Sequence, residues 1–537
     1  MTGPAPRTAR IAAWTHAHPW AGITVWSAVV FLLAASVARA FTYPPLNGGD
    51  EPAHFDYIIT VWHGHLPVFE NGLTYRAPFG AGVPVQWVSQ HPPLYYLLLA
   101  PVVGPLFDHG HALLAVMAGR IGSGLMIATA VPAAAWGVWR TFPGARRLPG
   151  AVAVLTALAG MIIQQGSSIY NDALYYPLVV LACGIAGAAL RSGVSRRLLM
   201  AAALVGAAGM TTRLSFALWL VALVVALLLA PDVRLGRVTG IPARMVAAVL
   251  PVLAAGAASG WFYLRNERIT GNFSGRHAEW GLEHAHRVER PMVDIAQDPG
   301  FYRGLFGVYR GVLDPLSWST YLLLVVPLVL AVLAGVWVLV RRRPTRADAS
   351  VARSVARASV RAERRDRLST ALIVAMYVVV TLLLLASQVD YVSGGGAANT
   401  RYSFTALPMI IIAMAVGLTA WRPLSGVLIG LWIVGAMPPY LSLVDLFVTS
   451  IVPHAAAVVQ VAFAVSLVGI VGIVIGVFLD SRVLQDARAA GLARRRPTTG
   501  TPGADRKDSD QTEPDSTEPA PSEADEVQPR AARNNVR

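Results

Sequence analysis

Cysteine is all but absent from this chain: Cys183 stands alone inside an apolar run, so no disulfide can form within it. Lysine is as scarce, with Lys507 the single example beside abundant arginine. Charged residues of all kinds make up 14% of the sequence, against about 25% in a soluble domain. No glycine-rich phosphate loop follows a strand, which argues against a nucleotide pocket. The net charge of +14 does not mark a nucleic-acid-binding face, because the arginines cluster between apolar runs.

What is present is hydrophobic length. The 537 residues are 55% hydrophobic, with a mean hydropathy of +0.52, and apolar runs of roughly 17–25 residues recur along most of the chain. They are continuous rather than alternating, which excludes membrane strands and predicts an all-α polytopic membrane protein. Twelve spanning helices are expected, at about 20–41, 112–139, 151–168, 173–190, 198–212, 214–231, 245–264, 320–340, 371–388, 403–420, 424–440 and 457–479. Ala38-Arg39-Ala40 matches a signal-peptidase site, but the segment is long and more membrane helices follow, so an uncleaved first helix is expected.

The stretch 91–107 opens with His91-Pro92-Pro93 and is interrupted by Pro101 and Pro105, the pattern of an interfacial or re-entrant segment. Counted as non-spanning, it leaves Arg146/Arg147, Arg191/Arg196/Arg197, Arg234/Arg237/Arg244 and the cluster Arg341–Arg367 on the cytoplasmic side; counted as spanning, it moves all of them outside, against the charge rule. The expected organisation is a cytoplasmic N-terminus (1–19), then a membrane module (20–264) whose first outer loop (42–111) carries interfacial helices. A large outer loop (265–319), a second membrane module (320–480) and a disordered cytoplasmic tail (481–537) follow. The Arg-rich stretch 341–370 reads as a surface helix on anionic lipid or a solvated loop.

The chemistry-bearing motifs gather at the predicted outer ends of helices. In Gly48-Gly49-Asp50-Glu51-Pro52-Ala53-His54, two glycines free the backbone and Pro52 suits a first helical turn, which sets Asp50 and Glu51 at the positive end of a helix dipole. A plain N-cap explains that position, but not two adjacent carboxylates with a histidine one turn later. Gln90-His91-Pro92-Pro93-Leu94-Tyr95 is a polar entry into a half-helix, and Tyr170-Asn171-Asp172-Ala173 puts a second carboxylate at membrane depth. Arg213 and Arg401 stand on the side where the charge bias depletes arginine; guanidinium grips a lipid phosphate through paired hydrogen bonds, and the bland alternative is snorkelling to headgroups. His277, Glu279, His284 and His286 in the large outer loop are candidates for a divalent metal without strict zinc spacing, or the polar face of a surface helix.

Asp50-Glu51, His91-Pro92-Pro93-Leu94-Tyr95, Asn171-Asp172-Ala173 and Arg401-Tyr402, in that order and on one side, resemble the GT-C glycosyltransferase superfamily over about residues 20–480. The bacterial branch related to protein O-mannosyltransferases and aminoarabinose transferases is the most similar. The resemblance implies a polyprenyl-phosphate sugar donor, a catalytic carboxylate in the first outer loop and reaction on the extracytoplasmic face of the cell membrane. The acceptor would be an envelope glycan, lipid or protein. Asp50 matches the catalytic carboxylate, with Glu51 beside it; Asp172 matches the second acidic position and Arg401 a residue near the donor phosphate. His54, His91, Tyr95, Asn171, Arg213 and Tyr402 are the expected substrate contacts. No cofactor is required by such chemistry. The rival class, a transporter or flippase, would place its charges midway through broken helices in matching halves.

Overall fold

The computed structural model describes residues 19–236, 238–284, 286–310, 318–341, 353–422 and 424–495. Helices α1 (Pro19–Thr42), α2 (Glu51–Trp62), α3 (Leu94–Asp108), α4 (Ala112–Ala128) and α5 (Ala130–Thr141) come first. They are followed by α6 (Leu148–Ala157), α7 (Gly160–Gly166), α8 (Asp172–Ser192), α9 (Arg196–Met210) and α10 (Ala217–Leu229). The long α11 (Gly240–Thr270) leads into α12 (Ala278–His284), α13 (Met292–Gln297) and α14 (Pro299–Phe306) of the large loop. Last are α15 (Trp318–Arg341), α16 (Arg353–Ser393), α17 (Leu407–Ala420), α18 (Ser425–Leu441) and α19 (Ala455–Arg495). The strands among the described residues are β1 (Val194–Ser195) and β2 (Val233–Arg234), paired in parallel.

Seven helical stretches among the described residues are long and apolar enough to cross a bilayer: α1, the run α4–α5, α8, α11, α15, α16 and α19. The pair α6 and α7, bent by 62°, makes an eighth if it is one span. Each of the twelve predicted runs does hold a helix. However, 214–229, α17 and α18 are shorter apolar helices, as is α3, and α9 is in neither group. The difference from twelve comes from proline and loop interruptions, which shorten helices without changing the apolar run that a sequence displays.

α8 is the central helix, with 89% of its apolar window buried, whereas α15 and α16 bury 22% of theirs and present the remainder outward. α5 and α8 meet through glycines: a side chain on Gly184 would come within 2.7 Å of the Gly137 backbone. This is the small-residue contact by which helices approach in lipid. α1 is part of the core, with Phe31, Leu32 and Ala35 fully buried and Gly469 of α19 packed on Phe31.

α19 runs to Arg495, past the expected end near residue 480. The stretch 481–495 is rich in Ala, Leu and Arg and free of proline until Pro497, so the helix has local reason to continue. By contacts the chain divides after Gln485, and the described part of the second unit is the end of this helix. The remaining tail (496–537), residues 1–18, and 342–352 of the Arg-rich stretch lie outside the described residues; from Arg353 that stretch is helical.

Loops join one another in two groups. At one end Arg265 donates to the Pro67 carbonyl (3.1 Å), Asn266 to Gln90 (3.2 Å), Arg276 to Gly394 (3.1 Å) and the Asp445 N–H to Thr42 (3.3 Å). At the other, Arg147 donates to the Arg422 carbonyl (2.6 Å), Arg191 to Thr141 (2.8 Å) and the Val194 N–H to Asp232 (2.7 Å). The groups are the ones that the arginine bias assigns to the outer and cytoplasmic faces. Reporter fusions at residues 145, 195, 240 and 355 are therefore expected to read cytoplasmic and those at 70, 290 and 395 external. An external signal at 355 reverses the orientation.

Candidate active site

The site is built on the first turn of α2. Gly49 takes φ +48°, where a side chain is strained and would also meet the Tyr170 hydroxyl at 3.0 Å. Pro52 sits in the first helical turn, and Asp50 holds the N-cap position without making a side-chain capping bond. The capping alternative thus fails on geometry, and the Asp50 carboxylate is turned elsewhere. α2 is covered by the rest of the protein: Glu51 through Val61 are all buried. The reason is Asp56, which accepts the Tyr75 N–H (2.6 Å) and the Gln86 side-chain amide and so folds the outer loop over the helix. Burial raises its pKa to about 6, against the pull of these two donors.

Glu51 and Asp50 part company. Glu51 is 1% exposed and takes a two-pronged bond from Arg120 (2.8 and 2.7 Å) together with the Ile169 N–H (3.0 Å). Arg120 is wholly buried and also donates to the carbonyls of Ala40, Tyr43 and Pro44. Asp50, 31% exposed, receives Arg401 Nη2 at 2.7 Å. Arg401 Nε is buried with no hydrogen-bond partner among the described residues.

A second ion pair joins Arg213 to Asp172, which is 1% exposed at the start of α8. The neighbouring Asn171 donates to the Thr212 carbonyl (3.2 Å) and so fixes the turn before Arg213. The Tyr402 ring lies between the two cations, 5.5 Å from the Arg213 guanidinium and 5.4 Å from that of Arg401; Tyr170 and Tyr175 supply further ring contacts. Burial acts to raise the Tyr402 pKa, but the charges of Arg401 and Arg213 outweigh it and the net direction is down.

His54 bonds Tyr96 through Nδ1 (2.9 Å), packs on Tyr170 and lies parallel to His91 at 6.2 Å. Both imidazoles are buried deeply enough to hold their pKa well below the usual value, with Arg401 and Arg213 adding to the shift. They are neutral at pH 7. Tyr95 faces the other way, toward Ser123 (2.7 Å).

A cavity of about 660 Å³ opens here, with Asp50, His91, Arg213, Arg401 and Tyr402 in its wall. Arg276 and Arg287 from the large loop also line it, as do apolar residues of α10 and α16 such as Leu218 and Leu384. Asp50 is the one carboxylate of this lining among the described residues, facing four guanidinium groups. Glu51 and Asp172 are outside it. A smaller cavity of about 240 Å³, lined by Arg39, Gln164, Gln165, Ser167, Ser168 and Arg310 among others, shares Arg401 and Asn399 with the first. The metal candidates are not brought together. His277 stacks on Phe69 (3.7 Å), His284 stacks on Trp280, Glu279 and His286 are exposed, and no group of three or more His, Cys, Asp or Glu suited to a metal exists among the described residues.

Sequence reasoning passed over Arg120, although an arginine midway along an apolar run is a flag in itself. Gln388 and Tyr391 of α16 enter the wall with no local signal.

No family model matches the chain, and no curated protein matches it by sequence. Among solved structures, the chain is similar to the oligosaccharyltransferase AglB from Archaeoglobus fulgidus in complex with an inhibitory peptide and a dolichol-phosphate. The TM-score is 0.42 at 12% identity, over 85% of this chain and 56% of that one. It is similar also to ArnT from Cupriavidus metallidurans bound to undecaprenyl phosphate, with a TM-score of 0.42 at 14% identity over 90% of this chain and 82% of that one. The chain thus spans little more than half the length of the archaeal protein. Likeness at this level says nothing of the chemistry.

Removing one partner of a buried, hydrogen-bonded ion pair strands the other charge at a cost of about 3–5 kcal/mol. Glu51→Ala is therefore expected to lower the thermal midpoint in detergent strongly and Asp50→Ala only slightly; equal losses would mean that Arg120 does not organise the site. The histidines give a pH dependence. Their folded pKa is depressed, so their stability contribution is full above the unfolded value of 6.5 and is lost as pH falls through it. Asp56, with its raised pKa, acts in the opposite sense from 3.8 to about 6. Between about pH 7.5 and pH 6 the midpoint should fall on acidification, and His54→Gln should flatten that slope. An unchanged slope would show that His54 is not held neutral.

Proposed function

We propose that the protein is a membrane glycosyltransferase that moves a sugar from a polyprenyl-phosphate donor to an acceptor hydroxyl on the outer face of the cell membrane. The observation that carries this reading is Asp50, the one carboxylate lining the large cavity among the described residues, set against guanidinium groups at one end of apolar helices. A lipid-linked sugar already has a phosphate leaving group. The protein must supply a base for the acceptor and cations for the departing phosphate.

In the proposed reaction the donor phosphate lies against Arg401 and Arg213, where the unpartnered Arg401 Nε finds an oxygen to bond. The polyprenyl chain leaves along the apolar wall of α10 and α16. The acceptor oxygen attacks the anomeric carbon, and the bond from that carbon to the phosphate oxygen breaks with its electron pair going to the phosphate. Asp50 takes the acceptor proton. Arg401 and Asp50 are paired in this structure, so an incoming phosphate draws the guanidinium over and frees the carboxylate to act as base. Tyr402 and Tyr170 hold Arg401 on its path. The smaller polar cavity on Arg401, with its amide and hydroxyl groups, suits the acceptor, which is an envelope glycan, lipid or protein. Asp172 acts through Arg213 as a positioning residue, and Glu51 through α2.

A transporter or flippase would require its charges midway along its helices, whereas the charged residues lining this cavity lie in loops and at helix ends. The deciding measurement is release of polyprenyl phosphate from a lipid-linked sugar by the purified protein. Asp50→Asn is expected to lose roughly 10²–10⁴-fold in that rate at an unchanged thermal midpoint. Turnover within a few-fold of wild type would remove Asp50 as the base. Arg401→Lys should weaken donor binding, because a point charge replaces a two-pronged fork; wild-type affinity there would return Arg401 to snorkelling.

A further inference from the structure

Two of the four guanidinium groups in the large cavity have carboxylate partners, Arg401 with Asp50 and Arg213 with Asp172. Arg276 and Arg287 make no ion pair among the described residues. Arg276 donates to the Gly394 carbonyl (3.1 Å) and lies 4.4 Å from the Tyr391 ring, while Arg287 lies 5.2 Å from the Trp87 ring. Aromatic faces orient the two planes and leave most of their ten N–H donors unused, five to each guanidinium. Both flank one turn. The Gly394 carbonyl holds Arg276, and a side chain on Gly395, at φ +76°, would meet Arg287 Cβ at 3.1 Å. The same segment then runs to Arg401, so the second pair of cations is tied to the first by a few residues of backbone.

A phosphodiester donor carries one negative charge, which Arg401 and Arg213 suffice to meet. We infer that Arg276 and Arg287 form a second anionic subsite, so that this protein's substrate carries two oxyanion groups, one at each pair of arginines. The inference rests on the proposed glycosyl transfer and names its substrate class. The second oxyanion is either the further phosphate of a pyrophosphate-linked lipid or the carboxylate of an acidic sugar.

The test is binding to the full-length protein in detergent, with undecaprenyl phosphate, undecaprenyl pyrophosphate and methyl glucuronide as probes. A hydrogen bond to a charged group is typically worth roughly 10–100-fold in affinity. For a pyrophosphate substrate, wild type should bind the pyrophosphate lipid by about that factor more tightly than the monophosphate, and Arg287→Gln should erase the difference. For an acidic sugar, the lipids should bind alike, and methyl glucuronide should bind wild type but not Arg287→Gln. Arg276→Gln also removes the bond to Gly394; the Arg287 guanidinium makes a ring contact and no hydrogen bond among the described residues, so its variant keeps the test readable if the other misfolds. Equal binding of both lipids together with no Arg287-dependent glucuronide binding overturns the second subsite. Failure of wild type to bind undecaprenyl phosphate at all, or indifference to Arg401→Lys, strikes instead at the proposed transfer.

Discussion

A guanidinium that no water reaches organises the site-bearing end of this protein. Arg120, on α4, ties the carbonyls of Ala40, Tyr43 and Pro44 at the end of α1 to Glu51 at the start of α2. It closes the turn from which Asp50 projects. Desolvating these charges is expensive, and the arrangement is tolerable because every prong of the guanidinium is bonded. The Ile169 N–H on Glu51 extends the lock to the segment before α8. The backbone around Asp50 is thereby fixed from three directions, while its side chain stays free to bond across the cavity.

The sequence displayed the membrane class, because span length is a local property that one reads along the chain. It displayed Asp50 too, through the glycines and proline that force a turn there. It did not display how Asp50 and Glu51 differ. Glu51 is matched by a residue 69 positions away and Asp50 by one 351 positions away, and nothing in an Asp-Glu pair states which carboxylate is sealed. Asp56 was hidden for the same reason: its partners Tyr75 and Gln86 look like ordinary loop residues until the loop folds over α2. The span count exceeded the long apolar helices since a broken helix and an intact one have the same composition.

The electrostatics of the site follow from alternation. Asp172, Arg213, Tyr402, Arg401 and Asp50 succeed one another, so each cation lies between a carboxylate and an aromatic face and neither needs a full hydration shell. Arginine suits this better than lysine, since its flat, weakly hydrated head stacks and hydrogen-bonds at once. The neutral state of His54 and His91 belongs to the same field, in which added positive charge is unwelcome.

The break between α6 and α7 also bears on how the protein is made. A bend of 62° leaves backbone groups unpaired at membrane depth, and the chain beyond α14 fills the gap: the Met161 N–H bonds the Val308 carbonyl at 3.0 Å, and a side chain on Gly160 would strike the Arg310 carbonyl at 2.4 Å. During synthesis, residues 160 and 161 emerge about 150 residues before their partners do. The first half of the bundle therefore enters the bilayer with one segment unfinished, and it can be sealed only after the large loop has been made. A nascent chain halted before residue 308 should be held open at that segment, exposed to the insertion machinery and to quality-control proteases.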